Sequence, residues 1–414
     1  MGGYGRVIVD SVTALEILDS RGRPTVKAWC RLGEGAVGYA SVPSGASTGS
    51  AEARELRDGD PSRHAGLGCL AAVAAIEGEI ASAIGGRPFR TQAELDEALC
   101  ELDGTPTKER LGANAILAVS LAFARAAAHA QDVPFYSYVS KLTGAGPAMP
   151  QPLVNLFSGG AHAGRQVGIQ DVQLLVRESR CLSDTLGVIA DVYHAAVDLT
   201  REKYEMRLLR ADEGGLAPPF ETSEAMLAAA VESIERAHRR PGDDIWLAVD
   251  VAASQLATDD GYVLDGERLD LVERSASWVT AFPITSLEDP LGDEDWAGWT
   301  TLASRLENVT LVGDDLLCSR VDRIRRAQQL ACVDALLLKP NQVGTLSEAL
   351  DALATARSGG WTVVVSARSG ETEDDWLADL AVGCAAEHIK IGSITQSERL
   401  AKYNRLLEIE RELA

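Results

Sequence analysis

The chain has 414 residues, of which 46% are hydrophobic and 24% are charged, and its formal net charge is −22. This length allows two domains, and the composition is ordinary for a globular protein. We expect so acidic a chain to bind neither nucleic acid nor an anionic membrane, because both need clustered Lys and Arg.

Residues 1–145 are predicted to form a small α+β domain. Residues 6–40 are rich in β-formers that alternate with polar residues, which predicts two or three antiparallel strands. The Gly/Ser/Thr-rich residues 44–49 follow and lack the Lys of a phosphate-binding P-loop. We interpret them as a mobile lid that can place Ser47 on a metal or substrate, with a flexible surface loop as the alternative. From residue 66 to 130, apolar residues recur at three- and four-residue spacing, which predicts helices.

No segment of this domain is predicted to direct the chain to a membrane or out of the cell. The N-terminus lacks a charged leader before an apolar core, which argues against a signal peptide. The longest apolar stretch, LGANAILAVSLAFA, is too short to cross a bilayer and is followed by Arg125. Seven scattered cysteines without CxxC spacing argue against disulfides and a zinc knuckle, and predict a cytoplasmic location.

The segment 143–152 is rich in Gly and Pro and is typical of a linker, so we place the domain boundary between residues 145 and 146. In residues 146–414, apolar runs alternate with amphipathic segments. This order predicts a parallel β/α barrel or a doubly wound sheet. Charged residues at the ends of many runs favour the barrel, and an amphipathic helix from Ser397 closes the chain.

Six apolar runs of the second domain stop at a charged side chain. Buried parallel strands are continuous Val/Ile/Leu runs, and in a β/α barrel their carboxyl ends meet at one catalytic mouth. The pattern therefore predicts a ring of charges suited to a divalent metal and an anionic substrate, with salt bridges at strand ends as the alternative. The six residues are Asp250 (IWLAVD), Glu288 (ITSLE), Asp314 (VTLVGD), Lys339 (ALLLK), Arg368 (TVVVSAR) and Lys390 (HIK).

Four of these residues are candidates for metal chemistry. Asp250, Glu288 and Asp314 offer the hard oxygens that Mg²⁺ prefers, and a buried trio of carboxylates would repel without a cation. Lys339 ends the next run. A dication beside it would lower the pKa of its ammonium group, so it could act as a base, with a salt bridge as the alternative.

Other residues are candidates for binding and protonating the substrate. Arg368, Ser369 and Lys390 can bind phosphate and carboxylate oxygens. Glu213 lies in the Gly- and Pro-rich loop RADEGGLAPP, where a carboxyl group could stay protonated as a general acid, although DEGG is often a plain turn. His162 lies in another Gly-rich loop, SGGAHAG.

Ten short segments resemble segments of enolase and follow one another in the same order, over nearly the whole length of this chain. The resemblance implies an α/β fold, an enolase-type TIM-like β/α barrel with a smaller N-terminal α+β lid domain. It also implies two Mg²⁺ per active site, conversion of 2-phosphoglycerate to phosphoenolpyruvate and water, and a homodimer or larger homo-oligomer. The segments are LDSRGRPTV, PSGASTG, ELRDGD, GANAILAVS, DEGGLAP, EDP, VGDDL, LKPNQVGT, RSGETED and SERLAKYN.

The resemblance further implies a role for each matched residue. Lys339 removes the proton next to the substrate carboxylate, Glu213 protonates the leaving hydroxyl, and Asp171 couples to that acid. The remaining roles are metal binding by Asp250, Glu288 and Asp314, a second metal held with the help of Ser47, and substrate contacts from His162, Gln170, Arg368, Ser369 and Lys390.

Three positions depart from the family pattern. Ala367 stands where His is usual, Asp171 where Glu is usual, and Ser158 where Asn is usual. Ala367 removes a hydrogen-bond donor from the substrate pocket and leaves space. Two enzyme hypotheses therefore stay open: a phosphopyruvate hydratase, and a paralogue that resembles the carboxyphosphonoenolpyruvate synthases of phosphonate natural-product pathways. A third hypothesis, an inactive binding protein on this scaffold, is disfavoured because the metal trio and the base are intact.

Overall fold

A computed structural model describes residues 7–33, 35–46, 48–177, 179–205 and 208–414. Ser47, predicted to help hold a second metal, lies outside these residues. The described chain forms an N-terminal sheet with helices, followed by a closed barrel.

The N-terminal sheet has four antiparallel strands in the order β3-β2-β1-β4. The prediction of two or three antiparallel strands agrees with this sheet, which also contains one short strand, β4, from a later part of the chain. Buried Val12, Val26 and Ala28 lie on one face of it and join the hydrophobic core. The strands are β1 (Val7–Leu18), β2 (Pro24–Leu32), β3 (Val37–Ser41) and β4 (Pro88–Phe89).

Helices cover the apolar face of this sheet, as the apolar spacing predicts. The first two are joined into one continuous helical segment by a π-helical turn at Ile76–Ile80. The helices are α1 (Leu70–Ala75), α2 (Ala81–Ile84), α3 (Gln92–Asp103), α4 (Ala113–Ala130) and α5 (Phe135–Thr143).

Helix α4 packs against β2 and β3 at the centre of the domain. It is the one helix among the described residues long and apolar enough to cross a membrane, and 83% of it is buried inside the protein. The sequence-based estimate of its length is therefore wrong. Arg125 lies within the helix, and its guanidinium donates to Asp374, with 2.7 Å between Nη1 and Oδ1. Its apolar composition is explained by packing on several sides.

Eleven further strands follow in the described chain. Three short ones, β8 to β10 in the list below, form a separate antiparallel sheet. The strands are β5 (Gln151–Ser158), β6 (Asp171–Val176), β7 (Ile245–Asp250), β8 (Ala257–Thr258), β9 (Gly261–Leu264), β10 (Glu267–Leu269), β11 (Ile284–Glu288), β12 (Thr310–Gly313), β13 (Ala335–Leu338), β14 (Thr362–Ser366) and β15 (His388–Gly392).

The other eight strands close into a barrel in the order β11-β12-β13-β14-β15-β5-β6-β7. The predicted barrel is confirmed, and the six apolar runs supply six of its strands. The expectation that every strand is parallel is wrong for β6, which runs antiparallel to β5 and β7. The cause is the connection from β5 to β6, residues 159–170. It contains no crossover helix, which a parallel pair needs.

In the described part of the chain, eight helices surround the barrel. Inside it, side chains from several strands, among them Ala248, Val312 and Leu337, form a small apolar cluster, so the barrel is a packed core and its chemistry lies at the rim. The helices are α6 (Leu182–Tyr204), α7 (Ser223–Arg236), α8 (Leu271–Ala281), α9 (Trp296–Ala303), α10 (Val321–Leu330), α11 (Leu346–Ser358), α12 (Trp376–Gly383) and α13 (Ser397–Leu413).

The predicted linker 143–152 runs from the end of α5 to the start of β5. The boundary drawn within it, at residue 145, stays a prediction.

Candidate active site at the barrel mouth

The predicted strand-end charges meet at the mouth of the barrel. Glu288 and Asp250 end the neighbouring strands β11 and β7 and are partners in their register. Both carboxylates bind one ammonium group. Lys390 Nζ lies 2.7 Å from Asp250 Oδ2 and 2.8 and 2.7 Å from the two oxygens of Glu288. Lys390 comes from β15, so it joins distant parts of the ring.

The third predicted carboxylate, Asp314, is paired with the predicted base. Lys339 Nζ lies 2.5 Å from Asp314 Oδ2, and Gln342 Nε2 donates to Asp314 Oδ1 over 2.8 Å. The salt bridges at strand ends that were the alternative interpretation are therefore present. They use the same residues as the predicted metal site.

The lysines of this ring do not fully compensate the negative charge of its carboxylates. Burial, and then the charge of Asp250, hold the pKa of Glu288 well above its ordinary value, although Lys390 opposes them. Burial raises the pKa of Asp250 as well, but Lys390 outweighs it and keeps that pKa low. Crowded hard oxygens whose repulsion is only partly relieved are a donor set that fits a divalent cation.

Lys339 does not show the lowered pKa expected of a base. Burial lowers the pKa of its ammonium group, but the charge of Asp314 outweighs burial and raises it above the ordinary value. The expected lowering depends on a dication that takes over the charge of Asp314. In this arrangement the lysine is protonated.

Two acidic residues missed by the sequence reasoning reinforce the rim at Asp314. Among the described residues, Asp289, Asp314 and Asp315 form a group whose oxygens lie within 4.8 Å of one another and could hold a metal. Asp289 accepts the backbone N–H groups of Asp314 at 2.9 Å and Asp315 at 2.7 Å, which fixes the turn after β12. Burial and the charge of Asp314 raise the pKa of Asp315 to about 8. The doubled acids of EDP and VGDDL were the signal in the sequence.

On the opposite side of the mouth, His162, Asp171 and Glu213 form a second such group. His162 Nδ1 lies 2.9 Å from Asp171 Oδ2, and His162 Nε2 lies 4.0 Å from Glu213 Oε1. Asn155 Nδ2 donates to the other oxygen of Glu213 over 2.9 Å. Because β6 is antiparallel, its first residue, Asp171, lies at the rim where the parallel strands end.

The pKa shifts of this second group favour a protonated His162 beside an ionised Glu213, while burial raises the pKa of Asp171 despite its contact with His162. Burial lowers the pKa of His162, but the carboxylates of Asp171 and Glu213 outweigh it and raise that pKa to about 9. Burial raises the pKa of Glu213, yet the cations His162 and Arg399 hold it below its ordinary value. The expectation of a protonated Glu213 is therefore not met in this arrangement.

Three predicted substrate contacts have protein partners here. Gln170 Nε2 donates to Asp250 Oδ2 over 3.0 Å. Arg368 forms a buried two-pronged ion pair with Glu52, with 3.1 Å for each contact. Ser369 Oγ accepts the backbone N–H of Ala46 over 2.8 Å. Glu52 was not predicted, because nothing local in the sequence links it to Arg368, which lies 316 residues further along the chain.

The predicted lid is docked onto the barrel at its described residues. Ser44 and Gly370 exchange two backbone hydrogen bonds, of 2.8 and 2.9 Å. Arg21 Nη2 donates to the carbonyl of Ser44 over 2.9 Å. The loop that follows Arg368 in the barrel is therefore the platform on which the lid segment rests.

Comparison with known families covers nearly all of the chain. The family model described as the enolase C-terminal TIM barrel domain matches residues 147–414, and the one described as the enolase N-terminal domain matches residues 9–139.

Proposed function

Because this chain belongs to the enolase family, we propose that it is a Mg²⁺-dependent hydro-lyase that removes water from 2-phosphoglycerate or a close analogue. The product is phosphoenolpyruvate or the matching analogue. The observation that carries the proposal is the placement of Lys339 and of the Glu213 group on opposite sides of the mouth. Lys339 follows β13 and Asp171 begins β6, and these strands are four places apart in the ring of eight. A base and an acid on opposite faces of a substrate suit an anti elimination.

Lys339 takes the proton next to the substrate carboxylate. That proton is weakly acidic, because its removal adds negative charge beside an existing anion. Asp250, Glu288 and Asp314 would hold one Mg²⁺ and Ser47 would help to hold a second. When bound, the ions supply the positive charge that offsets the developing anion.

Glu213 gives a proton to the leaving hydroxyl. Asn155 holds one of its oxygens and leaves the other facing His162. A bound anionic substrate would raise the pKa of Glu213 against the effect of His162, since a like charge favours the neutral acid. The acid is therefore expected to become protonated when the substrate binds.

The substrate is an anionic phosphorylated or phosphonylated hydroxy acid. His162, Gln170, Arg368, Ser369 and Lys390 are proposed to contact it, and their cations suit phosphate and carboxylate oxygens. Arg368 must then exchange its Glu52 partner for the substrate anion.

A second candidate function keeps the chemistry and changes the substrate. Ala367 follows β14 between the strand and Arg368, and its methyl side chain is buried. It offers no hydrogen bond to an anion at this point of the pocket. This supports a carboxyphosphonoenolpyruvate synthase-type enzyme as the alternative.

The deciding experiment compares turnover of 2-phosphoglycerate by the purified protein with Mg²⁺ and with a chelator. Turnover within about tenfold of ordinary enolases, lost with the chelator, supports the hydratase and contradicts the specialised enzyme. No turnover in the wild type, with turnover gained by Ala367→His, supports the specialised enzyme. Lys339→Ala is the matched inactive control in both cases.

An inactive scaffold makes a different prediction. Calorimetric titration of the protein with Mg²⁺ should show binding if the carboxylate ring is a metal site. Absence of binding at millimolar Mg²⁺, together with no turnover, would favour a binding protein without catalysis.

We also propose that the chain is a cytoplasmic homodimer or a larger homo-oligomer, as the family resemblance implies. Light scattering of the purified protein is expected to give at least twice the mass of one chain. A mass equal to a single chain would contradict this assembly.

A further inference from the structure

Two of the three departures from the family pattern touch each other. Ser158 ends β5 and Asp171 begins β6, and the two residues are partners in the antiparallel register. Both are fully buried. Ser158 Oγ donates to Asp171 Oδ1 over 2.5 Å. The sequence alone presents them as unrelated changes thirteen residues apart.

The contact extends to the proposed acid. Asp171 uses its second oxygen on His162 Nδ1, at 2.9 Å, so both carboxylate oxygens are occupied. With Nδ1 held, the other ring nitrogen of His162 faces Glu213. The orientation of the imidazole therefore depends on the position of the Asp171 carboxylate, and that position depends on Ser158.

There is little room to rearrange this chain of contacts. A Cβ on Gly215 would lie 2.3 Å from Ser158 Oγ, so the hydroxyl lies directly against the backbone that follows Glu213. A Cβ on Gly160, whose φ is +48°, would lie 3.1 Å from the Cα of Gln170. The backbone on both sides of the contact is thus tightly packed.

We propose that Ser158 is a positioning residue and that Ser158 and Asp171 form a matched pair that holds His162 toward Glu213. This inference rests on the proposed function for its catalytic meaning, but the pairing itself is a property of the free protein. The short Asp side chain leaves space for the Ser hydroxyl. With the present neighbours, an added methylene at Asp171 would push the carboxylate into Ser158 Oγ or into the imidazole, so a change at residue 171 calls for a change at residue 158 as well.

The pairing is tested with Ser158→Ala, Asp171→Glu and the double variant. The first readout is the imidazole ¹⁵N signals of His162 in the free protein, which report the protonation and the hydrogen bonding of each ring nitrogen. We expect Asp171→Glu to change these signals and the double variant to return them toward the wild-type values. Ser158→Ala should also shift the His162 signals. Because this variant only removes an atom, it can be used for the test if Asp171→Glu does not fold.

The second readout is catalysis. Ser158→Ala and Asp171→Glu should each lower kcat by about tenfold or more with a smaller effect on KM, since each disturbs a hydrogen bond to a charged group. The double variant should lose less than the product of the two losses. Independent losses that multiply, or His162 signals that no variant changes, would overturn the pairing.

The matched control is Ser275→Ala in α8. Ser275 is also fully buried, but its Oγ has no hydrogen-bond partner in the part of the chain that the structure describes. Its replacement should change neither the His162 signals nor kcat. If the proposed function fails and no substrate turns over, the ¹⁵N signals still decide whether the pair exists.

Discussion

At the scale of single residues, the mouth of the barrel is a set of buried charges held by opposite charges. Lys390 lies between Asp250 and Glu288, and all three are at most 5% exposed. Removing one partner of a buried ion pair lowers the stability of the fold by far more than the intact pair contributes to it. The reason is that the remaining charge is buried without compensation. The residues that suit a metal therefore also carry much of the local stability.

The first prediction concerns Lys390→Met. Loss of the ammonium group leaves two buried carboxylates side by side, so we expect the free energy of unfolding to fall by about 3–5 kcal/mol. Mg²⁺ should restore more stability to this variant than it adds to the wild type, because the ion replaces the missing charge. Urea denaturation with Mg²⁺ and with a chelator measures both effects.

Lys402→Met in α13 is the control for that experiment. Lys402 is 1% exposed, pairs with the buried carboxylate of Glu371 over 3.1 Å and donates to three backbone carbonyls, away from the carboxylate ring. Its loss should destabilise the fold without a response to Mg²⁺. An equal Mg²⁺ response in both variants would contradict a metal site at Asp250 and Glu288.

The second prediction concerns pH. The pKa of His162 is about 9 in the folded protein against an ordinary 6.5, so the folded state binds this proton more tightly. The resulting stability, roughly 3 kcal/mol, is fully present below pH 6.5 and is lost as the pH rises through 9. Urea denaturation from pH 6 to 9 should show this fall in the wild type and a flatter profile in His162→Gln. Parallel profiles would refute it.

At the scale of elements, the N-terminal domain depends on a close approach between α4 and the sheet. Gly38 lies in β3, and a Cβ at this position would be 2.2 Å from the Ala122 carbonyl oxygen and from the Ala126 nitrogen. Both contacts are backbone atoms of α4, which cannot move aside as a flexible side chain can. The helix and the strand pack at this distance because Gly38 has no side chain.

The third prediction follows from that contact. Gly38→Ala should force α4 away from the sheet and lower the free energy of unfolding by about 1–3 kcal/mol or more. Gly187→Ala in α6 is the control, because a Cβ there meets nothing within 4 Å. The control should stabilise the protein by about 0.5–1 kcal/mol, since alanine loses less backbone entropy in a helix. The measurement is denaturant unfolding of both variants. A change in the free energy of unfolding that has the same sign in both would contradict this prediction.

At the scale of the whole molecule, the N-terminal domain and the barrel meet at the proposed anion site. Glu52 follows the lid segment, accepts the N–H of Gly49 over 3.1 Å and pairs with Arg368 after β14. One carboxylate thus connects the lid with the arginine proposed to bind the substrate. Substrate binding at Arg368 and the position of the lid are therefore expected to depend on each other.

The fourth prediction tests this link. Glu52→Gln removes the charge opposite a buried guanidinium and should cost about 3–5 kcal/mol of stability. Inorganic phosphate should restore part of that loss, because an anion can take the place of the carboxylate at Arg368. Thermal unfolding in phosphate and in chloride at equal ionic strength measures the effect.

Asp379→Asn provides the matched control. Asp379 forms a similar two-pronged pair with Arg405, with contacts of 2.9 and 3.1 Å, between α12 and α13. This variant should also be destabilised, but phosphate should not rescue it. Rescue of both variants to the same extent would indicate general stabilisation by phosphate and would count against an anion site at Arg368.

The sequence by itself determined the barrel and most of its rim. A continuous apolar run that stops at a charge is a local pattern, and it is typical of a buried strand whose end reaches the rim of a barrel. It identified six barrel strands and placed Asp250, Glu288, Asp314, Lys339 and Lys390 together. Strands β5 and β6 escaped prediction, because polar residues such as Asn155 and Gln173 interrupt their apolar pattern to serve the site.

Only the tertiary structure decided which charges pair and where the protons lie. Lys390 bonds two carboxylates, Glu52 takes Arg368, and Ser158 meets Asp171 across a reversed strand. These contacts join residues from different strands, domains or faces of the mouth, and the protonation states follow from their distances and burial. Spacing along the chain reports which residues reach the rim, whereas partner choice depends on side-chain geometry within it.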